Sequence, residues 1–286
     1  MSNIKSLNNK ILQLLSIYLN DYSKIIKEEM VLELTKEGLD EEYAFKLLLA
    51  SIFDLDITQG EDKLLYHQYI DLMVKRLDAF EYINNPYYQL IKGFNKKYKN
   101  CELKYDYYDP FEGFVFDDFI KYPNGKLLPQ IGYFNKPFKY PAVYEANHLW
   151  MSITPNEINT MKKDIDDSFG NVLTYGLGLG YFPFMVSLKE NVKSVTIIEK
   201  NSQIIKLFKE NILPQFPNKD KIKIINDDAF IFAQNIKNKE YDFIFVDLWH
   251  DVSDGLEMYL KMKEYEKYSS DSVFRYWIEK TIKCYL

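Results

Sequence analysis

Four acidic residues and one histidine in the last third of the chain lie just beyond the ends of apolar runs, where a folded sheet could present them to a ligand. Glu199 closes the run Ser194–Ile198, and Asp228-Ala229 follow the run Lys221–Ile225. Asp247 closes Tyr241–Val246 and opens Asp247-Leu248-Trp249-His250-Asp251. A carboxylate such as Glu199 can accept two hydroxyl hydrogen bonds from a ribose diol. A histidine titrates near neutral pH and suits proton transfer. Asp247 and Asp251 could then orient an amine or hydroxyl beside His250, so Asp247, His250 and Asp251 are the candidate catalytic group. His250 and Asp251 could equally cap the helix that follows, and both readings stay open.

The elements that must position these residues are legible in the spacing. Val172 and Leu173 run into Tyr175-Gly176-Leu177-Gly178-Leu179-Gly180, and a helix-like segment follows at 181–189. Glycines at a strand-to-helix turn let a backbone approach a ligand where a Cβ would clash, and the helix start behind them offers free N–H groups. Amphipathic segments at 201–211, 229–236 and 255–268 separate the later apolar runs. Strand and helix in alternation predict an α/β, Rossmann-like parallel sheet with helices on both faces. In such sheets ligands bind beyond the carboxyl ends of the strands, where all these polar clusters fall. Glu199, 23 residues after Gly176, stands about where such a fold grips a ribose. A nicotinamide dinucleotide is disfavoured, because Tyr181 occupies the third position of the G-x-G-x-x-G pattern.

On these residues, roughly 155–278 resemble the class I S-adenosylmethionine (SAM) dependent methyltransferases, including their spermidine-synthase-like relatives. The resemblance implies SAM as cofactor. Tyr175, Gly176, Gly178 and Gly180 would lie against its methionine and ribose, and Glu199 would hold the ribose hydroxyls. Asp228 would accept from the adenine amine, the Ala229 N–H would meet the ring, and Asp247 would lie in the cleft beside the transferring group. Many methyltransferases carry an acid two residues before the first glycine; Thr174 stands there, a departure shared with spermidine synthases. Those enzymes' Asp-Ser-x-Asp-Pro stretch is absent. The stretch 247–251 also resembles catechol O-methyltransferases, but Trp277, Ile278 and Glu279 replace their later acid–amide pair, so no metal site is expected. The activity implied is methyl transfer to a small or medium polar acceptor. The alternatives are aminopropyl transfer from decarboxylated SAM, with Asp247, Asp251 and Asp254 along a polyamine cleft, and SAM binding without turnover.

Composition bounds the rest. A chain of 286 residues with 47% hydrophobic content can fold a large core, and its net charge of −6 disfavours nucleic acid as a partner. Cys101 and Cys284 are too few for a disulfide framework. No signal-like or membrane-length apolar run occurs, so a cytoplasmic protein acting on a small molecule is expected, with a homodimer possible. Residues 1–98 show helical stripes (Ile4, Leu7, Ile11, Leu14, Leu15, Tyr18; then Leu65, Tyr69, Leu72, Met73, Leu77, Phe80) and predict a helical domain, with a helix ending at Gly38 and another capped by Asp40. Residues 99–153 are rich in Tyr and Phe, carry a hairpin signal at Asn124-Gly125, and predict a β-rich module whose Trp150 and Met151 could cover the cofactor. Residues 154–286 would be the SAM-binding domain, C-terminally shortened, because only a helix, a strand at 272–278 and a last helix follow Asp247.

Overall fold

Short runs of β-branched and aromatic residues build a five-stranded parallel sheet in the computed structural model, which describes residues 2–286. Its elements are α1 (Pro155–Asp167), β1 (Gly170–Tyr175), α2 (Tyr181–Ser187), β2 (Val192–Glu199), α3 (Ser202–Asn211), β3 (Ile222–Asn226), α4 (Ala229–Asn235), β4 (Phe243–Val246), α5 (Val252–Tyr265), β5 (Val273–Tyr276) and α6 (Glu279–Ile282). The strand order is β3-β2-β1-β4-β5, and every pairing is parallel. All four residues of β4 are buried. A strand buried on both sides is the mark of a sheet covered on both faces. Strand order reverses between β1 and β4, so the crevice for a ligand lies beyond Tyr175 and Val246.

Two compact units divide the chain, one of residues 1–80 and 107–139, the other of 81–106 and 140–286. This differs from boundaries at 98 and 153. The aromatic stretch does not build one module, because its strands belong to two sheets. Phe114–Lys121 and Leu127–Tyr133 form the hairpin about Gly125, and Leu127–Tyr133 also pairs with Val74–Arg76. Lys96–Tyr98, Cys101–Tyr108, Phe138–Glu145 and His148–Ser152 form a separate four-stranded sheet. None of these strands joins the parallel sheet, which ends at β5.

In the first unit, Leu7, Ile11, Leu15, Phe45 and Tyr69 share a core. Asp40 caps the helix Glu41–Ile52 by accepting from the Glu42 and Tyr43 N–H groups. The second predicted stripe is interrupted: the helix gives way after Met73 to strand Val74–Arg76. Leu72 and Phe80 are 46% and 67% exposed rather than in the core.

Lys189 fixes the end of α1. Its ammonium donates to the carbonyls of Ile165, Asp166 and Ser168 at 2.6, 2.5 and 2.7 Å, satisfying carbonyls that the helix end leaves open. Lys189→Met should cost about 1.5–3 kcal/mol, the range for hydrogen bonds to a charged group. Chemical denaturation checks this, and an unchanged midpoint would refute it.

Candidate functional site

The glycine loop is shaped first by its neighbours. Gly176 has φ +96°, and a Cβ there would lie 1.9 Å from the Asp247 carbonyl oxygen; only glycine lets the ends of β1 and β4 lie so close. Asp247 N–H donates to Tyr175 O at 2.9 Å and Gly176 N–H to Ile198 O at 2.9 Å. Thr174 Oγ1 donates to Gly176 O at 3.4 Å, inside the loop. At Gly178 a Cβ would meet Met151 Sδ at 1.6 Å, and at Gly180 the Phe208 ring at 2.3 Å.

A cavity of about 240 Å³ opens beyond this loop. Gly176, Gly178, Glu199, Asp228, Ala229 and Asp247 all line it. Glu199 spans the crevice: Oε2 accepts from Leu177 N–H at 3.2 Å and Oε1 from Asn201 N–H at 2.7 Å. Asp228 Oδ1 caps α4 through the Phe230 and Ile231 N–H groups at 2.8 and 3.1 Å, which leaves Oδ2 over for a ligand. The Glu199 and Asp228 carboxylates and the backbone edge at Ala229 therefore face one cavity.

Other predicted residues lie elsewhere. Tyr175 is buried and Gly180 packs on Phe208, and neither lines the cavity; they shape the loop from behind. Asp251 does not line it either. Its Oδ1 accepts from Ser253 N–H and Oγ, both at 2.6 Å, and it forms a capping box with Asp254 at the start of α5. The helix N-terminus needs that acceptor, so Asp251 is a cap rather than a group facing the acceptor. His250 is not the cap. It lines the cavity, its Nδ1 lies 3.0 Å from Asp254 Oδ2, and its ring stands edge-on to Trp150 with centroids 4.8 Å apart. Burial pushes Asp254 up, but the Asp251 and His250 N–H groups and the His250 ring outweigh it and hold it below its usual value.

A second cavity of about 180 Å³ adjoins the first. Trp150, Asp247, Trp249 and His250 line both. Glu157, Met151 and Trp277 line the second alone. All three tryptophans of the chain therefore wall it. Glu157 was passed over in the sequence, although it lies in step with Met161 and Ile165 on the buried stripe of α1. An acid at i, i+4 and i+8 spacing with apolar residues was the signal. It is nine-tenths buried, and its Oε2 has no hydrogen-bond partner. The buried Trp249 Nε1 has none either, whereas Trp277 Nε1 donates to Thr160 Oγ1 at 2.9 Å.

The acids perturb one another. Burial, with Glu199 beside it, pushes the Asp247 carboxyl up to about 7. Burial, then the charge of Asp247, lifts Glu157 well above the carboxylate range. Burial raises Glu199 too, opposed by the Asn201 and Leu177 N–H groups. Among the described residues no group of three or more His, Cys, Asp or Glu could hold a metal ion, and no helix is long and apolar enough to cross a membrane.

The sign of the pH effect follows. The folded chain keeps the Asp247 proton up to about pH 7, whereas the unfolded chain releases it near ~4. Between these values the unfolded state binds fewer protons, so stability falls as pH rises and levels off above the folded value. Asp247→Asn should flatten that slope and gain roughly 1–4 kcal/mol at alkaline pH. Denaturation at acidic and alkaline pH reads it, and identical slopes in both proteins would remove Asp247 from the cluster.

Residues 161–280 match the family Spermine/spermidine synthase domain, over less than half of the 286-residue chain. No curated protein matches the chain. Among solved structures it is similar to spermidine synthase from Thermotoga maritima, with 14% identity and a TM-score of 0.36, covering 58% of this chain and 67% of that one. It is also similar to precorrin 8w decarboxylase from Methanobacterium thermoautotrophicum, with 17% identity and a TM-score of 0.33, covering 43% of this chain and 63% of that one. The parallel sheet, the glycine loop and the matched domain give residues 161–280 a Rossmann-like α/β fold with spermidine-synthase features.

Proposed function

We propose that the protein transfers an alkyl group, by preference aminopropyl, from a sulfonium nucleoside of the SAM class to a small amine. The observation that carries this is the pair of adjoining cavities sharing Asp247 and His250, the second without a lysine or arginine in its wall. Glu199, Asp228 and the Ala229 backbone hold the nucleoside in the first cavity, and the acceptor enters the second. An acidic wall favours a cationic amine over a carboxylate or phosphate, in line with the chain's net charge of −6. The same wall favours a decarboxylated donor, and the Spermine/spermidine synthase match supports that preference.

In the reaction, the acceptor nitrogen forms a bond to the carbon beside the sulfonium, and the C–S bond breaks with its electron pair going to sulfur. The nitrogen gives up one proton. His250 is placed to take it, because Asp254 holds Nδ1 and so orients the ring, leaving Nε2 for the substrate. Asp247 accepts a hydrogen bond from the amine and orients its lone pair.

Calorimetry with SAM, decarboxylated SAM and methylthioadenosine, followed by turnover with 1,4-diaminobutane, tests the reading. Decarboxylated SAM should bind at least ~10-fold tighter than SAM, one buried charge interaction being worth about that much, and an aminopropylated amine should form. A methylated amine formed from SAM would shift the reading to methyl transfer. Binding without product from either donor would reduce it to a nucleoside-binding protein.

Two substitutions separate binding from turnover. Glu199→Gln should weaken all three nucleosides by ~10–150-fold, the range for hydrogen bonds to a charged group; unchanged dissociation constants would exclude the ribose role. His250→Ala should lower turnover by ~10²–10⁴ with nucleoside affinity unchanged. A loss confined to stability would show that the ring is only structural.

A further inference from the structure

A third cavity, of about 290 Å³, lies between α1, α2 and residues 81–85 and shares no lining residue with the other two. Ile158 and Ile165 of α1 and Met185 of α2 give it an apolar wall. Glu81, Lys162 and Asp166 stand exposed around it. Lys163 and Asp167 pair at 2.6 Å across one turn of α1, whereas Lys162 and Asp166, at the same spacing, do not. None of the three charges around the cavity forms an ion pair among the described residues. Tyr181 supplies a buried polar group. Its hydroxyl oxygen accepts from Asn85 Nδ2 at 2.8 Å, so its own O–H remains to donate. Burial pushes that hydroxyl up to about 12, and it keeps its proton at neutral pH.

The charges select the ligand. An anion alone would meet two carboxylates here, and a cation alone would meet Lys162. Residues four apart on a helix have Cβ atoms about 5–6 Å from one another, so Lys162 and Asp166 suit a zwitterion whose charged groups sit on one carbon. Its carboxylate takes the Lys162 ammonium and the Tyr181 O–H, and its ammonium faces Glu81 and Asp166. The apolar wall favours a hydrocarbon or thioether side chain. At ~30 Å³ per water-sized group, the volume of about 290 Å³ holds roughly ten heavy atoms. Leucine, isoleucine and methionine are of that size.

The same residues reach the glycine loop. Tyr181 opens α2 directly behind Gly180, and its ring stands edge-on to Tyr87 with centroids 5.8 Å apart. Asn85, the donor to Tyr181, also caps the helix Pro86–Leu90 by accepting from Tyr87 N–H at 2.9 Å. Tyr87 in turn donates its hydroxyl to Leu179 O, inside the loop, at 2.6 Å. We propose that this cavity binds an α-amino acid with a medium apolar side chain, and that its occupancy tightens the nucleoside cavity through Tyr181, Asn85 and Tyr87. The binding site goes beyond the function proposed above and does not depend on it; only the coupling rests on the nucleoside part of that reading.

The test is calorimetry on the full chain with L-leucine, 3-methylbutylamine, which lacks the carboxylate, and 4-methylpentanoate, which lacks the ammonium. Wild type should bind leucine at least ~10-fold tighter than the amine, as for a charge-assisted hydrogen bond from Tyr181. It should bind leucine at least ~3-fold tighter than the acid, as for exposed ion pairs. Lys162→Gln and Tyr181→Phe should each narrow the gap to the amine. Glu81→Gln combined with Asp166→Asn should narrow the gap to the acid; these side chains and Lys162 are exposed, so melting temperatures should stay at the wild-type value. Saturating leucine should tighten methylthioadenosine at least ~5-fold, and methylthioadenosine should tighten leucine by the same factor. In Tyr181→Phe both effects should shrink toward unity. A wild type that binds leucine no better than both analogues would overturn the site, as would leucine selectivity left intact in all these variants. Leucine binding with unchanged methylthioadenosine affinity would overturn the coupling alone. Leucine binding without any methylthioadenosine binding would overturn the nucleoside reading and the coupling, and leave the site standing.

Discussion

Desolvated carboxylates at one end of a parallel sheet set the terms for the rest of this structure. Glu199, Asp247 and Glu157 come from β2, the end of β4 and α1, and all lie at the carboxyl edge of the strands. Like charges in a low-dielectric crevice repel, and each loses the hydration it would have in water. Glu199 receives backbone N–H groups, Asp247 keeps a proton up to about pH 7, and burial with Asp247 nearby raises the Glu157 carboxyl well above its ordinary range. Glu157 is relieved least, since its Oε2 has no hydrogen-bond partner.

Much of the surrounding fold keeps those groups in place. Gly176 lets β1 and β4 close until Asp247 O occupies the volume of its missing Cβ. That contact fixes where the Asp247 backbone stands, and the Leu177 N–H fixes Glu199 from the same loop. The Lys189 ammonium ties down the far end of α1, the helix that carries Glu157. A loop held by strand ends on both sides needs little further ordering when a ligand arrives, which favours binding.

The lining of the first cavity was legible in the sequence because its signals are local. Glycines at a strand end, acids closing apolar runs and helical spacing between them are all read within a few residues, and Glu199, Asp228, Ala229 and Asp247 do line the first cavity. Elsewhere, pairing over long separations decides the outcome. The stretch 99–153 reads as one aromatic module, yet Phe114–Lys121 and Cys101–Tyr108 enter different sheets, because strand partners depend on contacts no local pattern encodes. The helical stripe through Leu77 and Phe80 fails after Met73, where pairing with Leu127–Tyr133 takes over. Asp251 went to the cap because a helix start demands an acceptor, and its carboxylate is within reach of Ser253 N–H. Glu157 escaped notice for the opposite reason: acids are usual in a helix's first turn, and only its shared stripe with Met161 and Ile165 marks it as buried.

In the second cavity, desolvation bears on stability and, under the proposed function, on selection. The tryptophan faces lower the local dielectric along the wall of the second cavity, which strengthens electrostatic interactions there. In the empty state that works against the fold, since it raises the cost of ionising Asp247 and Glu157. With a cation bound, the same walls deepen its attraction to both carboxylates and to the rings. The penalty and the selectivity therefore scale together. Replacing these acids by apolar residues of similar size would relieve that cost, and under the proposed function it would also remove the pull on a cation, so the more stable variant would be the less discriminating one.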